Sequence, residues 1–345
     1  MHKPGKTLSM IIMAAIIASI AITASANQAG FSISPNFPEN QYPGSTGFFD
    51  LRVIPGQCQE ISINIINSGD EDMTVEINLF TAGTNRNGIV DYTTEAIADK
   101  TMAFPFSQIA SSPAQDEVII PAGHQTTVPI FIDIPEDGFD GIILGSIHVL
   151  RGISEEERTQ AGMFVNRFAQ VIIVRLQENY NPVPVDFILG DVGLETLYHS
   201  AAIVSEIRNP KPRLTMGAVI NAQVYPVGQD TAIFAINDMK ADFAPNSVLR
   251  LSMIDRAGYG ISAGDYIARY QIEHNGEIWG FEREFTIGEK IGLDAANNQQ
   301  APDGGIKFFA PTLQWVMIVG VCAVILVSAA TIYYITKKIS KKRCK

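Results

Sequence analysis

The residues that could carry catalysis or bind a metal are few in this sequence, and they are scattered along it. The histidines between the two ends of the chain are His124, His148, His199 and His274. Glu195 lies four positions before His199, a spacing at which the two would share one face of a helix. A protein zinc site takes three or four converging ligands, and residues 194–200 are predicted to form a loop between strands. The pattern therefore predicts no metal site.

The sequence also lacks the usual patterns of nucleophilic and phosphate-binding enzymes. Ser146 lies in Leu-Gly-Ser-Ile, without the Gly-x-Ser-x-Gly nucleophile elbow, and is predicted to be a small strand residue. Acidic residues cluster at 70–72 and 136–140. Either cluster could hold Ca²⁺, but neither has the ligand spacing of an EF-hand, so solvated turns are the better interpretation. We therefore expect no catalytic residue, no cofactor and no resident metal.

The two ends of the chain predict its topology. Residues 1–26 have two early lysines, an apolar stretch and a final Ala-Ser-Ala, which is typical of a secretory signal peptide. Residues 313–336 are uncharged and long enough to cross a bilayer as one helix. Six basic residues follow in the tail, residues 337–345, which places that tail in the cytoplasm. The sequence predicts a single-pass membrane protein whose N-terminal part lies outside the cell.

The composition of the part of the chain between these ends limits the classes of partner that it can bind. All 36 acidic residues lie there, with 17 of the 25 basic ones. Such a surface repels nucleic acid, so the composition argues against DNA or RNA binding. Cys58 is its single cysteine, and it has no N-glycosylation sequon. Both features favour a bacterial surface protein over a secreted animal protein.

Residues 27–178 are predicted to form a first β-sandwich. Apolar and polar residues alternate in 60–66 and 73–79, as in strands with one buried face. Further candidate strands are 48–54, 117–120, 126–134, 141–150 and 168–176. Residues 31–41 contain two prolines and are predicted to be an irregular lead-in. The charged residues 154–158 are predicted to be an exposed connection between two strands.

Residues 185–288 are predicted to form a second β-sandwich of immunoglobulin-like size. Its candidate strands are 202–208, 214–225, 231–236, 248–254, 265–273 and 278–287. Asn275-Gly276 between the last two predicts a tight hairpin turn. Residues 179–184 contain two prolines and are predicted to be the joint, although a boundary near Glu155 is the alternative. Residues 289–311 are polar and predicted to be a flexible stalk. The predicted fold class is all-β, with two tandem Ig-like antiparallel β-sandwiches and one C-terminal transmembrane helix.

The long polar loop of residues 81–92 has two interpretations. Thr84, Asn85, Asn87 and Tyr92 offer donors, acceptors and a ring that suit glycan hydroxyls and amides. Alternatively, the asparagines and Gly88 only shape the turn, because both residue types tolerate positive φ.

A series of different short motifs lies in a fixed order along nearly the whole chain. In the first half they are 38–41 (Pro-Glu-Asn-Gln), 49–51, 55–56, 82–88 with Tyr92, 134–135, 139–141 and 144–145. In the second half they are 175–178, 209–210, 244–247 (Ala-Pro-Asn-Ser), 263–266, 279–281 and 285–287. In order and spacing they resemble the WxL-interacting protein family of Gram-positive bacteria. Two features depart from that family: Ser146 stands where a second glycine is expected, and the extracellular part is more acidic.

The resemblance implies both partners and a set of site residues. It implies a first domain that binds peptidoglycan, with a family core of about residues 30–150, and a second that binds a host extracellular protein. It also implies that the chain holds WxL-domain surface proteins at the cell wall. The candidate ligand-binding residues are Asn40, Gln41, Thr84, Asn85, Asn87, Tyr92, Asn246 and Trp279. For Asn246, a structural turn before the strand at Val248 is the favoured alternative.

Two functional hypotheses follow for this sequence. The first is a membrane-anchored binding and scaffold protein of the cell surface, without enzymatic activity. The alternative is a membrane-tethered cell-wall hydrolase or protease. That alternative requires acidic residues and histidines to converge in a cleft, with Glu195 and His199 as the candidates to meet a third ligand.

Overall fold

The computed structural model describes residues 30–114, 117–153, 159, 167–258 and 260–288. These residues form two β-sandwiches, each with a separate hydrophobic core. Within these ranges no helix has the length and apolar character needed to cross a membrane. The predicted signal peptide, stalk, span and tail, and the charged connection at 154–158, lie outside the described residues.

The first sandwich packs a four-stranded sheet against a five-stranded sheet. The four-stranded sheet has the order β1-β3-β9-β7 and the five-stranded sheet has the order β2-β11-β10-β4-β8. The strands are β1 Phe31–Asn36, β2 Phe49–Arg52, β3 Cys58–Asn67, β4 Met73–Thr81, β7 Ala110–Ser111, β8 Val118–Ile120, β9 Gln125–Asp133, β10 Ile143–Arg151 and β11 Ala169–Gln177. A small separate hairpin, β5 Gly83–Thr84 and β6 Val90–Asp91, follows β4, and a single turn of helix, α1 Phe106–Ile109, precedes β7.

The predicted alternation builds the first core. In β3 the side chains of Ile61, Ile63 and Ile65 are buried, and the residues between them are partly exposed. In β4 the same pattern buries Val75 and Ile77. Residues at every second position point to one face of a sheet, so the two inner faces meet as one apolar layer.

Two predictions for the first sandwich are wrong. Residues 31–36 are not irregular, because β1 pairs antiparallel with β3 from Phe31 opposite Asn67 to Asn36 opposite Ser62. Pro35 fits there since β1 is an edge strand, where a missing backbone N–H is tolerated. The sandwich is also not purely antiparallel, because β2 pairs parallel with β11. These two strands are far apart in sequence, so no hairpin forces them to run in opposite directions.

The helical turn α1 closes the first core by placing one ring over a glycine. Phe106 is fully buried, and it lies against the inner face of β10 at Gly145. A Cβ atom on Gly145 would lie 2.2 Å from the Cδ1 and Cγ atoms of Phe106. Such a distance is far inside van der Waals contact, so glycine is required for the ring to approach the strand.

The second sandwich packs a three-stranded sheet, β12-β13-β16, against a four-stranded sheet, β15-β14-β17-β18. The strands are β12 Ile188–Leu197, β13 Ser200–Asn209, β14 Thr215–Pro226, β15 Phe234–Phe243, β16 Ser247–Ile254, β17 Gly264–His274 and β18 Glu277–Ile287. The strand β12 was not predicted, and residues 194–197 belong to it rather than to a loop. Two glycines and a register shift between Leu189 and Val192 obscure its alternation.

The turn between β17 and β18 confirms the prediction made from its dipeptide. Asn275 has φ 50° and Gly276 has φ 85°, the pair of positive values that a tight hairpin turn requires. The hairpin aligns β17 with β18 from Gly264 opposite Ile287 to His274 opposite Glu277.

Gly145→Ala is expected to lower the free energy of unfolding by about 2 kcal/mol, because the added methyl group must displace the buried Phe106 ring. The control is Gly193→Ala in β12, where a Cβ atom would meet no other atom within 4 Å. Urea unfolding of both variants checks the prediction, and equal unfolding free energies would contradict it.

Candidate functional site

The hairpin of residues 83–91, here called the junction hairpin, leaves the first sandwich and packs against the second. Thr84 is buried, and its Oγ1 accepts a hydrogen bond of 3.0 Å from the backbone N–H of Ala244. The Oγ atoms of Thr84 and Ser247 are 2.7 Å apart. Ser247 donates its one hydroxyl hydrogen to the carbonyl oxygen of Ala244, so Thr84 must donate to Ser247. The Thr84 hydroxyl therefore both accepts and donates a hydrogen bond between the two sandwiches.

The tip of the junction hairpin meets the last residues of β15. The Gly88 carbonyl accepts a hydrogen bond of 2.7 Å from the backbone N–H of Asp242. Gly88 has φ +71°, and a Cβ atom on it would lie 2.8 Å from Cβ of Ala241. Both its conformation and this close approach require glycine.

The asparagines and the tyrosine of this loop have different roles. The Oδ1 atom of Asn85 accepts hydrogen bonds from the backbone N–H groups of Asn87 and Ile89, which shapes the turn. The side chain of Asn87 is exposed. The backbone carbonyl of Tyr92 accepts a hydrogen bond of 2.6 Å from Ser146, the residue that replaces the expected glycine. Burial raises the pKa of the Tyr92 phenol, while Arg175 lowers it and Asp242 raises it.

A second segment of the first sandwich pairs with the edge of β16. Residues 97–99, here called the junction strap, run antiparallel to its first residues, with Ala98 bridging Ser247. The backbone N–H of Val248 donates to the carbonyl of Ile97 at 3.1 Å, and that of Asp99 donates to the carbonyl of Asn246 at 2.7 Å. The strap therefore extends the sheet of the second sandwich by a short strand-like segment.

A buried ion pair holds the strap against β13. The guanidinium of Arg208 donates two hydrogen bonds to the carboxylate of Asp99, whose side chain has no exposed surface. Burial raises the pKa of Asp99, but the hydrogen bonds from Arg208 and Thr101 outweigh it, so the pKa of that carboxyl is lowered. The same hydrogen bond raises the pKa of Arg208. Sequence reasoning missed this pair because 109 positions separate its two members.

The predicted site residue Asn246 lies where the strap meets the second sandwich. Its backbone has φ 46°, which is tolerated by asparagine more readily than by most residues. Its side-chain amide donates to the hydroxyl of Thr101 at 2.8 Å and to the carbonyl of Pro210 at 3.0 Å. The turn interpretation of Asn246 is supported, and its donors are occupied by the junction itself.

A cavity of about 250 Å³ lies beside these contacts. Its lining includes Met102, Phe104 and Phe139 from the first sandwich, and Pro210, Pro212 and Pro245 from the second. At its rim the backbone N–H of Ile142 donates to the carbonyl of Pro212 at 2.8 Å. The family motifs that contribute to the junction thus enclose a largely apolar space.

Asn40 and Gln41 lie elsewhere, along β2. The Asn40 amide donates to the carbonyl of Arg52 and to Oε1 of Gln59. The Gln41 amide donates to the carbonyls of Ser45 and Phe48, and its Oε1 accepts from the N–H of Asp50. The Gln41 side chain therefore holds the loop of residues 42–48 in place, and the Asn40 side chain links Arg52 to Gln59.

Trp279 is separate from both groups. Its ring is half-buried and packs edge to face against Phe187, with 5.1 Å between the ring centroids. It is part of the periphery of the second core. The structure thus brings Thr84, Asn85, Asn87, Tyr92 and Asn246 to one junction, and leaves Asn40, Gln41 and Trp279 outside it. Their role as ligand-binding residues stays a prediction.

The residues considered for enzyme chemistry have other partners or positions in the structure. Glu195 of β12 forms an ion pair with Arg250 of β16, across the intervening β13. His199 is exposed in the turn between β12 and β13, with φ 64°. Across the described part of the chain, no three His, Cys, Asp or Glu residues are grouped so that they could hold a metal ion.

These features define an all-β protein in which two immunoglobulin-like sandwiches are joined by hydrogen bonds between loops of one and strand edges of the other. Two family models match the sequence: the peptidoglycan-binding domain of WxL-interacting proteins at residues 31–151, and their host-binding domain at residues 159–297. The chain belongs to the WxL-interacting protein family.

Solved structures with a similar arrangement share little sequence. The chain aligns with the YadV chaperone at 12% identity, over 74% of this chain and 100% of that one, with a TM-score of 0.28. The Salmonella enterica SafA pilin–SafB chaperone complex gives 15% identity over 74% and 97%, with a TM-score of 0.28. A PapD-like domain of human CEP192 gives 12% identity over 47% and 93%, with a TM-score of 0.27. No curated protein matches the sequence.

Gly88→Ala is expected to destabilise the protein by about 2 kcal/mol more than Gly228→Ala. The two glycines have φ values of 71° and 79°, so both variants bear the same cost of a left-handed alanine. A Cβ atom on Gly228 meets nothing within 4 Å, whereas one on Gly88 clashes with Ala241. Thermal unfolding checks the difference, and the same melting temperature for both variants would contradict the junction contact.

Asp99→Asn is expected to lower the free energy of unfolding by about 3 kcal/mol at neutral pH, because the variant leaves the Arg208 charge without its partner. The lowered pKa means that this stabilisation is complete above the unfolded-state pKa of about 3.9, and is lost as the pH falls through the folded-state pKa. Unfolding measured from pH 7 to pH 2 should therefore show a weaker acid dependence in the variant.

The control for Asp99→Asn is Glu282→Gln, which removes the ion pair between Glu282 and Arg269. Both of those side chains are 54% exposed, so we expect a clearly smaller loss than for Asp99→Asn. A similar loss in the two variants would show that burial does not strengthen the Asp99 pair.

Proposed function

We propose that the chain is a membrane-anchored binding and scaffold protein of the Gram-positive cell surface. It holds WxL-domain proteins and peptidoglycan together at the envelope, and it presents a second sandwich to host extracellular proteins. A binding role at the cell surface follows from the two domain families that the chain contains. The scaffold role and the membrane anchor are the parts that the proposal adds.

The observation that supports a scaffold is the hydrogen-bonded junction between the sandwiches. The junction hairpin and the junction strap contribute five backbone or side-chain hydrogen bonds to Ala244, Ser247, Asp242, Val248 and Asn246. Separating the sandwiches would also break the buried Asp99–Arg208 ion pair and expose both charges to water. Two binding surfaces joined in this way hold their partners at a defined spacing.

The proposed anchor rests on the sequence of the chain ends. Residues 313–336 would cross the membrane as one helix, and residues 289–311 would link it to the sandwiches. Residues 1–26 would be removed during export, so that the first sandwich (27–178) and the second (185–288), joined by 179–184, lie at the cell wall. The work of the protein in this arrangement is binding rather than catalysis.

The test uses the full-length chain in a mild non-ionic detergent. The chain is incubated with purified cell walls, and separately with an immobilised WxL-domain protein from the same genome. We expect retention on both. An acidic immunoglobulin-like protein of similar size is the control. Retention no greater than that of the control on both matrices would overturn the binding role.

A second arm tests the anchor. Cells producing the chain are fractionated, and the membranes are washed at alkaline pH. The intact chain should remain with the membranes, and a variant that lacks residues 313–336 should be released. If the intact chain is released as well, the proposed anchor is wrong, while the binding result stands.

A further inference from the structure

Two exposed tyrosines lie next to each other at the β2 edge of the first sandwich. Tyr42 is 45% exposed and Tyr180 is 56% exposed, and their ring centroids are 6.2 Å apart at an angle of 69°. They come from opposite ends of the sandwich sequence, before β2 and after β11. Residues 41–42 double back antiparallel along β2, with Gln41 bridging Leu51, and the end of β2 is aligned with the end of β11, so the two rings meet. Exposing the apolar surface of aromatic rings to water is unfavourable, so two adjacent exposed rings indicate a surface that contacts a binding partner.

A cation lies directly on this ring pair. The guanidinium carbon of Arg52 is 4.8 Å from the centroid of the Tyr180 ring. Over the described residues, no carboxylate lies within salt-bridge distance of Arg52. The sequence has 36 acidic residues against 25 basic ones. The exposed Arg52 guanidinium, which has no carboxylate partner among the described residues, is available to bind an anion.

Next to the two tyrosines and Arg52, the neighbouring charged residues Arg175 and Asp50 form an ion pair with each other. Arg175 forms two hydrogen bonds with the buried carboxylate of Asp50, and its guanidinium lies 5.7 Å from the ring centroid of Phe48. Burial raises the pKa of Asp50, but hydrogen bonds from Arg175 and Ser45 outweigh it, so the pKa is lowered and the carboxylate stays charged. The charge of Arg175 is thereby neutralised, and that of Arg52 is not.

The loop that carries Tyr42 is fixed by the predicted site residues. Gln41 binds the loop at both of its ends through its amide, and the backbone N–H of Tyr42 donates to the carbonyl of Asp50 at 2.7 Å. Asn40 holds the carbonyl of Arg52, the residue that lies on the second ring. These side chains position the surface rather than contact its ligand, which limits the entropy lost on binding.

The chemistry of this surface selects a glycan that carries carboxylates. The faces of aromatic rings have a negative quadrupole, which suits the C–H groups of a pyranose ring. An unpaired guanidinium suits a carboxylate. Peptidoglycan has both groups, in its N-acetyl sugars and in the carboxylates of its stem peptides, and the surface lies on the sandwich that matches the peptidoglycan-binding model.

We propose that Tyr42, Tyr180 and Arg52 form the site at which the first sandwich binds peptidoglycan, with the rings packing on a sugar and Arg52 binding a carboxylate. This inference rests on the proposed function, since it assigns a location to the wall binding. It also places part of the site after residue 151, where the peptidoglycan-binding family model ends.

The test measures retention of the full-length chain on peptidoglycan freed of phosphate-containing polymers, and on untreated walls. The variant with both Tyr42→Ala and Tyr180→Ala should bind phosphate-free peptidoglycan about tenfold more weakly, as is typical when exposed anchor rings are removed. Arg52→Gln should weaken binding and flatten its dependence on salt, because the charge is removed. Arg52→Lys should keep the salt dependence.

The matched controls are Tyr198→Ala and Arg256→Gln. Tyr198 is 80% exposed in the turn between β12 and β13, and Arg256 is exposed on the second sandwich. Neither control should change binding, and the melting temperatures of all variants should stay close to that of the wild type.

Four outcomes would overturn the inference. If the wild type binds and the double tyrosine variant binds equally well, the site lies elsewhere and the proposed function stands. If the controls lose binding to the same extent, the effect is not specific to this site. If the chain binds untreated walls alone, the ligand is a phosphate-containing polymer. If the wild type binds neither matrix, wall binding itself fails, together with the ligand assigned here.

Discussion

The contact on which the two-sandwich arrangement depends is the ion pair between Asp99 and Arg208. The Asp99 side chain has no exposed surface, so a charge at that position is tolerated only while the guanidinium and Thr101 supply its hydrogen bonds. Asp99 belongs to a loop of the first sandwich and Arg208 to β13 of the second. The backbone pairing of the junction strap with β16, and the hydroxyl contacts of Thr84, reinforce the same attachment. The interface between the sandwiches therefore depends on polar groups, each of which must meet its own hydrogen-bond partner.

This polar matching explains why the sequence predicted the sheets better than the site. Alternation identifies a strand such as β3 or β4 because burial of every second residue is a local property. It failed for β1, where prolines suggested irregularity, and for β12, where glycines and a bulge interrupt the pattern. It could not tell that Thr84 and Asn246 meet other loops of the same chain, because a polar residue that faces a second domain looks like one that faces a ligand. Tyr42 and Tyr180 were missed for the complementary reason, since they become neighbours only through the pairing of β2 with β11 and the return of residues 41–42 along β2.

The division of the chain into two family segments does not coincide with its division into two cores. The strand β11 lies within the host-binding match, which begins at residue 159. It nevertheless forms the five-stranded sheet of the first sandwich, between β2 and β10, and supplies Val174 and Leu176 to the first core. Its Arg175 neutralises Asp50 of β2. The peptidoglycan-binding segment is thus incomplete as a sandwich without β11, and the exposed ring surface at the β2 edge depends on residues from both segments.

The place of β11 inside the five-stranded sheet, between β2 and β10, also sets the order in which the first sandwich can fold. During synthesis or export the chain emerges from its N-terminus, and β10 has one free side until Gln177 has appeared. That strand is buried on both faces over most of its length in the folded protein, and its free edge is a template for pairing with another chain. The first sandwich can therefore close only after about half of the chain is available, and the interval before closure is when a protective factor would matter most.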